Sequence, residues 1–357
     1  MSGMWGNKLK ISIFGESHGT AIGITIDGLP SGFEIDMDEV LKEMARRAPG
    51  KSKLSTARKE SDTPEILSGF FEGKTTGTPL CAIIRNSDHH SKDYGKLKDF
   101  MRPGHGDYPG NIRYAGFNDY RGGGHFSGRI TAPLVFAGAV SKQILEKKGI
   151  SIGAHIKNIG NVQDISFSDI EVTEELLNNI KCNELPLLND EKENDMREEV
   201  SKARGELDSV GGSIECTVIG IKAGFGNPFF DSVESSIAHL MFSVPAVKGI
   251  EFGKGFEMCK LKGSECNDEY YYDGDEIKTY TNNNGGITGG ITNGMPILFK
   301  VGIKPTPSIA KKQRTIDIFE KKNTELEIKG RHDPCIVQRA VPVIECAAAI
   351  AILDLLL

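Results

Sequence analysis

The sequence has no apolar run near the roughly 20 residues that a membrane-spanning helix needs. The closest, residues 347–357, is shorter and carries Asp354. There is no basic excess either. Lysine and arginine number 43 against 49 acidic residues, a formal charge of −6, which argues against a general nucleic-acid binder. Aromatic residues are sparse, at 7%, so there is little to stack on bases. The seven cysteines are odd in number and scattered, which excludes a disulfide framework and implies reduced thiols. Cys259 and Cys266 have no second ligand pair nearby, so no metal site is expected. The opening residues, MSGMWGNKLK, lack the apolar core of a secretory leader, and a cytoplasmic location is the expectation. No G-x-G-x-x-G follows a strand, which excludes a Rossmann dinucleotide site. No repeat of fixed period is found.

What is present is an ordinary globular composition, 38% hydrophobic over 357 residues, enough for one large domain or two small ones. Strand-like and helix-like stretches mix without the βαβα alternation of a doubly wound sheet. Residues 10–14 (KISIF) and 22–26 (IGITI) read as strands flanking the loop Gly15-Glu16-Ser17-His18-Gly19. Ser17 and His18 are sequence neighbours, so an extended loop would point them apart and disfavour a Ser–His nucleophile pair. Residues 36–47 read as an amphipathic helix capped by Asp36. Residues 65–71 and 79–84 read as paired strands, and residues 86–100 as polar with a short helix. Residues 132–148 are a helix closed by Gly149. Residues 169–204 read as an acidic helical outer face, and residues 260–278 as a polar, tyrosine-rich mobile excursion. Strands are expected over residues 150–156, 213–221, 247–252 and 295–303, and a helix over residues 231–242. The last segment, residues 336–357, is an apolar helix for which Asp333 at the N-cap and Pro334 at N1 form an ordinary start.

The chemistry concentrates in residues 102–131. Arg102, Arg113, Arg121 and Arg129 stand there with His105, His125 and Ser127 among eight glycines. Glycine lets a backbone approach a ligand closely. Arginine offers planar forks for phosphate and carboxylate oxygens, and histidine moves protons near neutral pH. The last part, Ser127-Gly128-Arg129, arrives at a helix N-terminus, where N–H groups favour anions. A Gly-rich surface loop with solvated charges is the other reading. A second glycine run, residues 282–294, is either a hairpin bend or a phosphate cradle that exits through Lys304-Pro305-Thr306-Pro307-Ser308. Candidate residues spread from 17 to 339, so a split near Gly160 or Gly205 would divide the site. One unit, residues 1–357, is expected.

Taken together, FGESHG (14–19), RRAPG (46–50), RPGHGD (102–107), YRGGGHFSGR (120–129), KPTPS (304–308) and GRHDPC (330–335) resemble chorismate synthases over nearly the whole chain. The resemblance implies an α+β fold, a β-α-β sandwich of antiparallel sheets with helices packed on them, assembled as a homotetramer. It implies elimination of phosphate and a ring proton from 5-enolpyruvylshikimate 3-phosphate to give chorismate, with reduced FMN used but not consumed. The length resembles the monofunctional type, which takes reduced FMN from an external flavin reductase.

On the same resemblance His18, His105 and Asp333 are catalytic: His18 toward the departing phosphate, His105 toward the flavin, Asp333 toward the ring proton. Substrate contacts fall on Ser17, Arg47, Arg102, Ser127, Arg129 and Arg339. Flavin contacts fall on His125, Phe126, Ser127, Ala246 and Gly289. They continue through Lys304, Pro305, Thr306, Pro307, Ser308 and Arg331. Arg47 and Lys53 match positions of an NADP-type site. Two departures stand out. His125-Phe126 replaces a common Arg-Ser, exchanging an arginine for a weaker, pH-dependent donor, and Lys53 replaces a common arginine, exchanging a fork for a point charge. The residue types alone also admit a flavin-independent enzyme on a phosphorylated carboxylic acid, or a Gly/Arg-rich RNA-binding module.

Overall fold

The structure is a computed structural model, and it describes residues 3–50, 62–86, 98–328 and 333–357. Two five-stranded sheets enclose a layer of helices. The first sheet uses β1 (Met4–Trp5), β2 (Lys10–Gly15), β3 (Ala21–Asp27), β4 (Pro64–Ser68) and β7 (Leu80–Arg85). Their order is β1-β2-β3-β7-β4, antiparallel throughout. A small hairpin, β5 (Phe70–Phe71) with β6 (Lys74–Thr75), lies between β4 and β7. The second sheet has the order β11-β16-β10-β8-β9, also antiparallel. Its members are β8 (Ser151–Ile159), β9 (Val162–Gln163), β10 (Gly212–Ile219), β11 (Val247–Phe252) and β16 (Ile297–Ile303).

The helices between the sheets follow from their composition. In α3 (Thr131–Glu146) and α8 (Val337–Leu356) nearly every residue is buried. A helix that is apolar all round can only sit inside. They cross closely because Gly138 has no side chain: a Cβ there would lie 2.1 Å from Cys346 Cβ. The amphipathic α1 (Met37–Arg47), capped by Asp36 as expected, packs on both. The β-α-β sandwich implied by the sequence is the fold found.

Other elements refine the reading. The acidic stretch 169–204 is two helices, α4 (Glu174–Ile180) and α5 (Glu193–Gly205). Each buries an apolar edge, Leu177 and Ile180 in one and Met196 and Val200 in the other, so it is not wholly a solvated face. Helix α2 (Asp107–Arg113) follows the RPGHGD block, and α6 (Val233–Ser243) precedes β11. Within 260–278 the chain forms a short α7 (Gly263–Cys266) and then a hairpin, β12 (Tyr270–Asp273) with β13 (Glu276–Thr279). The glycine run 282–294 contains a hairpin bend, β14 (Ile287–Thr288) with β15 (Ile291–Thr292). A last hairpin, β17 (Gln313–Asp317) with β18 (Lys322–Leu326), precedes Asp333.

Two polar features hold the layers. Asp354, near the end of α8, accepts the backbone N–H groups of Asn7, Lys8 and Leu9 at 3.1, 2.7 and 2.6 Å. In the helical layer Glu345 accepts Arg46 through two bonds of 2.6 and 2.9 Å, Lys142 at 2.5 Å and the Ala154 N–H at 3.2 Å. Glu43 completes the cluster by accepting Arg46 at 2.8 Å and Lys142 at 3.2 Å. Burial alone would raise the Glu345 carboxyl, but Arg46 and Lys142 hold it at about 2.

A depressed folded-state value stabilises the protein above the unfolded value and stops doing so as pH falls through the folded one. The window here runs from 4.5 down to about 2. Glu345→Gln should cost about 3–5 kcal/mol at neutral pH, the cost of breaking a buried pair. Urea titrations of both proteins should converge as the pH is lowered through that window; a constant difference would contradict the assignment.

Candidate functional site

The first group sits at the end of β2. There Gly15 adopts a φ of 98° and a Cβ would strike the Ala21 carbonyl. The chain then turns, closed by the Gly19 N–H on the Glu16 carbonyl at 3.0 Å. This turn carries the buried Ser17 and His18. Because it is a turn and not an extended loop, the two side chains do not diverge: Ser17 Oγ lies 3.1 Å from His18 Nδ1. That corrects the expectation drawn from their adjacency. The hydroxyl also has the Gly122 carbonyl within 3.2 Å as an acceptor, so it is not committed to the imidazole.

Gly122, Gly123 and Gly124 have φ of 57°, 87° and 53°, a left-handed run only glycine adopts cheaply. The bend pushes this backbone against both candidate histidines. A Cβ on Gly122 would fall 2.0 Å from His18 Cε1, and one on Gly123 would fall 3.2 Å from His105 Cε1 and Nε2. The two imidazoles therefore border consecutive residues, whose Cα atoms are about 3.8 Å apart.

His105 is held from the other side by Asp107, whose Oδ1 is 2.7 Å from Nδ1, though not aligned as a hydrogen bond. Arg102 donates to Asp107 from its backbone N–H, Nε and Nη2 at 3.1, 2.6 and 2.7 Å. Burial would raise the Asp107 carboxyl; the bond from Arg102 and the nearby His105 instead hold it well below the usual range. Arg102 Nη1 reaches Ser308 Oγ at 3.4 Å, and Lys304 Nζ donates to the Gly104 carbonyl. The Lys304 backbone N–H bonds the Ala246 carbonyl at 2.9 Å. Burial and the neighbouring charge of Lys248 lower the Lys304 ammonium.

From there the contacts run round to His18 again. Thr306 Oγ1 donates to the Asp333 carbonyl at 2.9 Å. The Asp333 carboxylate accepts Arg339 Nη1 at 2.7 Å, and Arg339 Nε donates to the Arg47 carbonyl at 3.2 Å. Arg47 and Arg129 both donate to Asp62. Burial would raise that carboxyl, but the two guanidiniums hold it low. Arg129 Nε reaches Asn86 Oδ1 at 3.1 Å, and Asn86 Nδ2 donates to the Glu16 and Gly19 carbonyls at 3.0 and 2.8 Å. These bonds, with the packing of His18 and His105 on Gly122 and Gly123 and the close approach of His105 to Asp107, link His18, His105, Arg102, Asp333, Arg339, Arg47 and Arg129 in one circuit.

Several sequence expectations change. Asp333 is not the N-cap of α8, because the helix starts at Val337 behind Ile336, which makes no side-chain cap. As the residue before Pro334, Asp333 is kept from helical backbone geometry, and its carboxylate is spent on Arg339. Ser127 does cap, accepting the Arg129 N–H at 3.3 Å. His125 Nδ1 lies 2.8 Å from the Gly15 carbonyl. Phe126 fills the space beside Gly106 and Gly110, where a Cβ would meet its ring at 3.0 and 2.5 Å. Gly289 and Ala246 lie at opposite ends of α6. Gly290, next to Gly289, packs on Ser232 and accepts the Val233 N–H at the start of α6, whereas Ala246 follows the end of that helix, about 16 Å away at 1.5 Å per residue. Lys53 and Arg331 lie outside the described residues, as does most of the short helix expected over 86–100. Asp62 and Asn86 were not anticipated. Nothing local marks them, since their partners lie far along the chain.

The chorismate synthase family model matches residues 9–357. A chorismate synthase of Pyrococcus abyssi is 47% identical over 355 residues, 99% of this chain and 97% of that one. One of Methanocaldococcus jannaschii is 44% identical over 365 residues, with 99% and 96% covered. A solved structure described as a crystal structure of chorismate synthase superposes with a TM-score of 0.77 at 29% identity, covering 99% of this chain and 92% of that chain. Neither a flavin-independent phosphate enzyme nor an RNA-binding module finds support in these relatives.

The glycine bend gives a direct test. Gly122→Ala should lower turnover by at least about 100-fold, the scale of an ångström-sized misplacement. Gly205→Ala, where a Cβ meets nothing within 4 Å, should match the parent protein. Equal turnover in both variants would show that the close packing on His18 is not required.

Proposed function

The chain belongs to the chorismate synthase family, and from that premise we propose that the circuit of residues around His18, His105 and Asp333 is its active site. The reaction is that of chorismate synthase: phosphate and a ring proton leave 5-enolpyruvylshikimate 3-phosphate, and chorismate forms. The observation that carries the site assignment is the convergence of His18 and His105 on consecutive glycines, with the arginines linked to both.

We take reduced FMN to be the cofactor, supplied by a separate flavin reductase. The donor set suits an anionic flavin. Lys304, with its ammonium lowered by burial and by Lys248, stands beside Thr306, Ser308 and Arg102. Ala246 backs that loop, and Phe126 packs on the Gly106 turn, while His125 sits against the Gly15 carbonyl. When bound, reduced flavin would supply electron density that eases loss of the phosphate, without net redox change. A homotetramer is the proposed assembly. Among the described residues no helix is long and apolar enough to cross a membrane, and a cytoplasmic location is proposed.

The chain's own residues then have distinct tasks. Arg47, Arg102, Arg129 and Arg339 bind and orient the phosphate and carboxylates, offsetting like-charge repulsion that is otherwise several kcal/mol in a buried pocket. His18, buried and oriented by Ser17, delivers a proton to the departing phosphate. His105 has Nδ1 near Asp107 and its Cε1–Nε2 edge against Gly123, and in this reading it serves the flavin. Asp333, whose carboxylate accepts Arg339, takes the ring proton in this reading.

His18→Ala and His105→Ala should each lower kcat by roughly 10²–10⁴-fold, the usual contribution of one general acid, with circular dichroism unchanged. Full turnover in both would remove their proton-carrying roles. Asp333→Asn should lose activity on the same scale, and an active variant would rule out the base assignment. The assay is anaerobic, with reduced FMN and substrate. Chorismate and a transient change in flavin absorbance are expected, and phosphate release without flavin would overturn the cofactor reading.

A further inference from the structure

We propose that Asp62 is a positioning residue for the substrate's anionic groups, because it fixes Arg47 and Arg129 by giving one carboxylate oxygen to each. This rests on the reading of those two arginines as anion-binding. Asp62 is 1% exposed and is reached from two separate elements. Arg47, at the end of α1, donates Nε to Oδ2 at 3.0 Å and brings Nη2 to the same oxygen. Arg129, just before α3, brings Nη1 to Oδ1. Asp62 has a φ of 50°, an unusual backbone state for a residue with a side chain, kept only where the surroundings fix it.

The second support of Arg129 is Asn86, whose amide also grips the turn carrying His18. A shift of Arg129 would therefore be felt at the proposed proton donor. Two buried guanidiniums repel each other, and a carboxylate bridging them is what lets both stay near one anion. Asp62 could instead be only a counter-charge. The two roles have opposite consequences. A counter-charge competes with the substrate, so neutralising it would strengthen anion binding. A positioning carboxylate, once neutralised, lets the forks separate and weakens it.

The test uses holoenzyme kinetics with reduced FMN, together with calorimetric binding of inorganic phosphate to the protein without flavin. Asp62→Asn should raise both KM and the phosphate Kd by about 10- to 100-fold, with kcat changed far less. A purely structural role would lower the melting temperature and the active fraction without moving KM. Unchanged or tighter binding in a folded Asp62→Asn protein overturns the proposal. If that variant does not fold, Asp62→Glu decides. It keeps the charge but moves the carboxylate by one methylene, and should raise KM roughly 3- to 10-fold; a parental KM overturns the proposal. Arg47→Lys and Arg129→Lys separate the two levels. If neither moves KM or phosphate binding, the arginine reading fails and the proposal with it. If both do and the Asp62 variants do not, the proposal alone fails.

Discussion

A guanidinium buried before its ligand arrives must already have a counter-charge within reach. The layout of the site follows from that constraint. Arg102 is matched by Asp107, Arg339 by Asp333, and Arg47 and Arg129 share Asp62. Leaving any of them unmatched would cost several kcal/mol. One carboxylate serves two arginines, and Lys304 stands in the neighbouring loop. A protein of charge −6 thus gathers arginines at one place by giving each a carboxylate.

The same device operates in the core. Arg46 and Arg47 are adjacent, yet they face different tasks: Arg46 joins Glu43, Lys142 and Glu345 between the sheets, and Arg47 joins Asp62 at the site. Both groups thus meet at the end of α1. Helix α8 carries Glu345 in one group and Arg339 in the other, so one rigid element registers core and site together. A mixed cluster of fixed length holds that register better than interchangeable methyl groups would.

Much of this was legible in the sequence. Residues 132–148 and 336–357 read as helices, the second an apolar one, and short β-type runs marked most of the longer strands. RPGHGD and YRGGGHFSGR marked the loops that carry His105 and the glycine bend. What could not be read were relations across long separations. Asp62 lies 67 positions from Arg129 and 15 from Arg47, so no local pattern announces it. Ser17 and His18 misled for the opposite reason: the alternation rule holds for strands, and a turn of four residues reverses it. Asp333 before Pro334 looked like a cap because residue types at helix starts recur, but the start itself depends on where α8 packs.

The bond between Asp354 and the amides of residues 7–9 has a consequence for how the chain is made. The carboxylate that fastens the entry to β2 lies 345 residues beyond Leu9. Loop closure over that span is slow. As the polypeptide leaves the ribosome, the His18 turn has emerged long before the residue that anchors its sheet. The first sheet must therefore wait, partly unfastened, until residue 354 has been made. Chaperone contact during translation would be concentrated on that waiting edge.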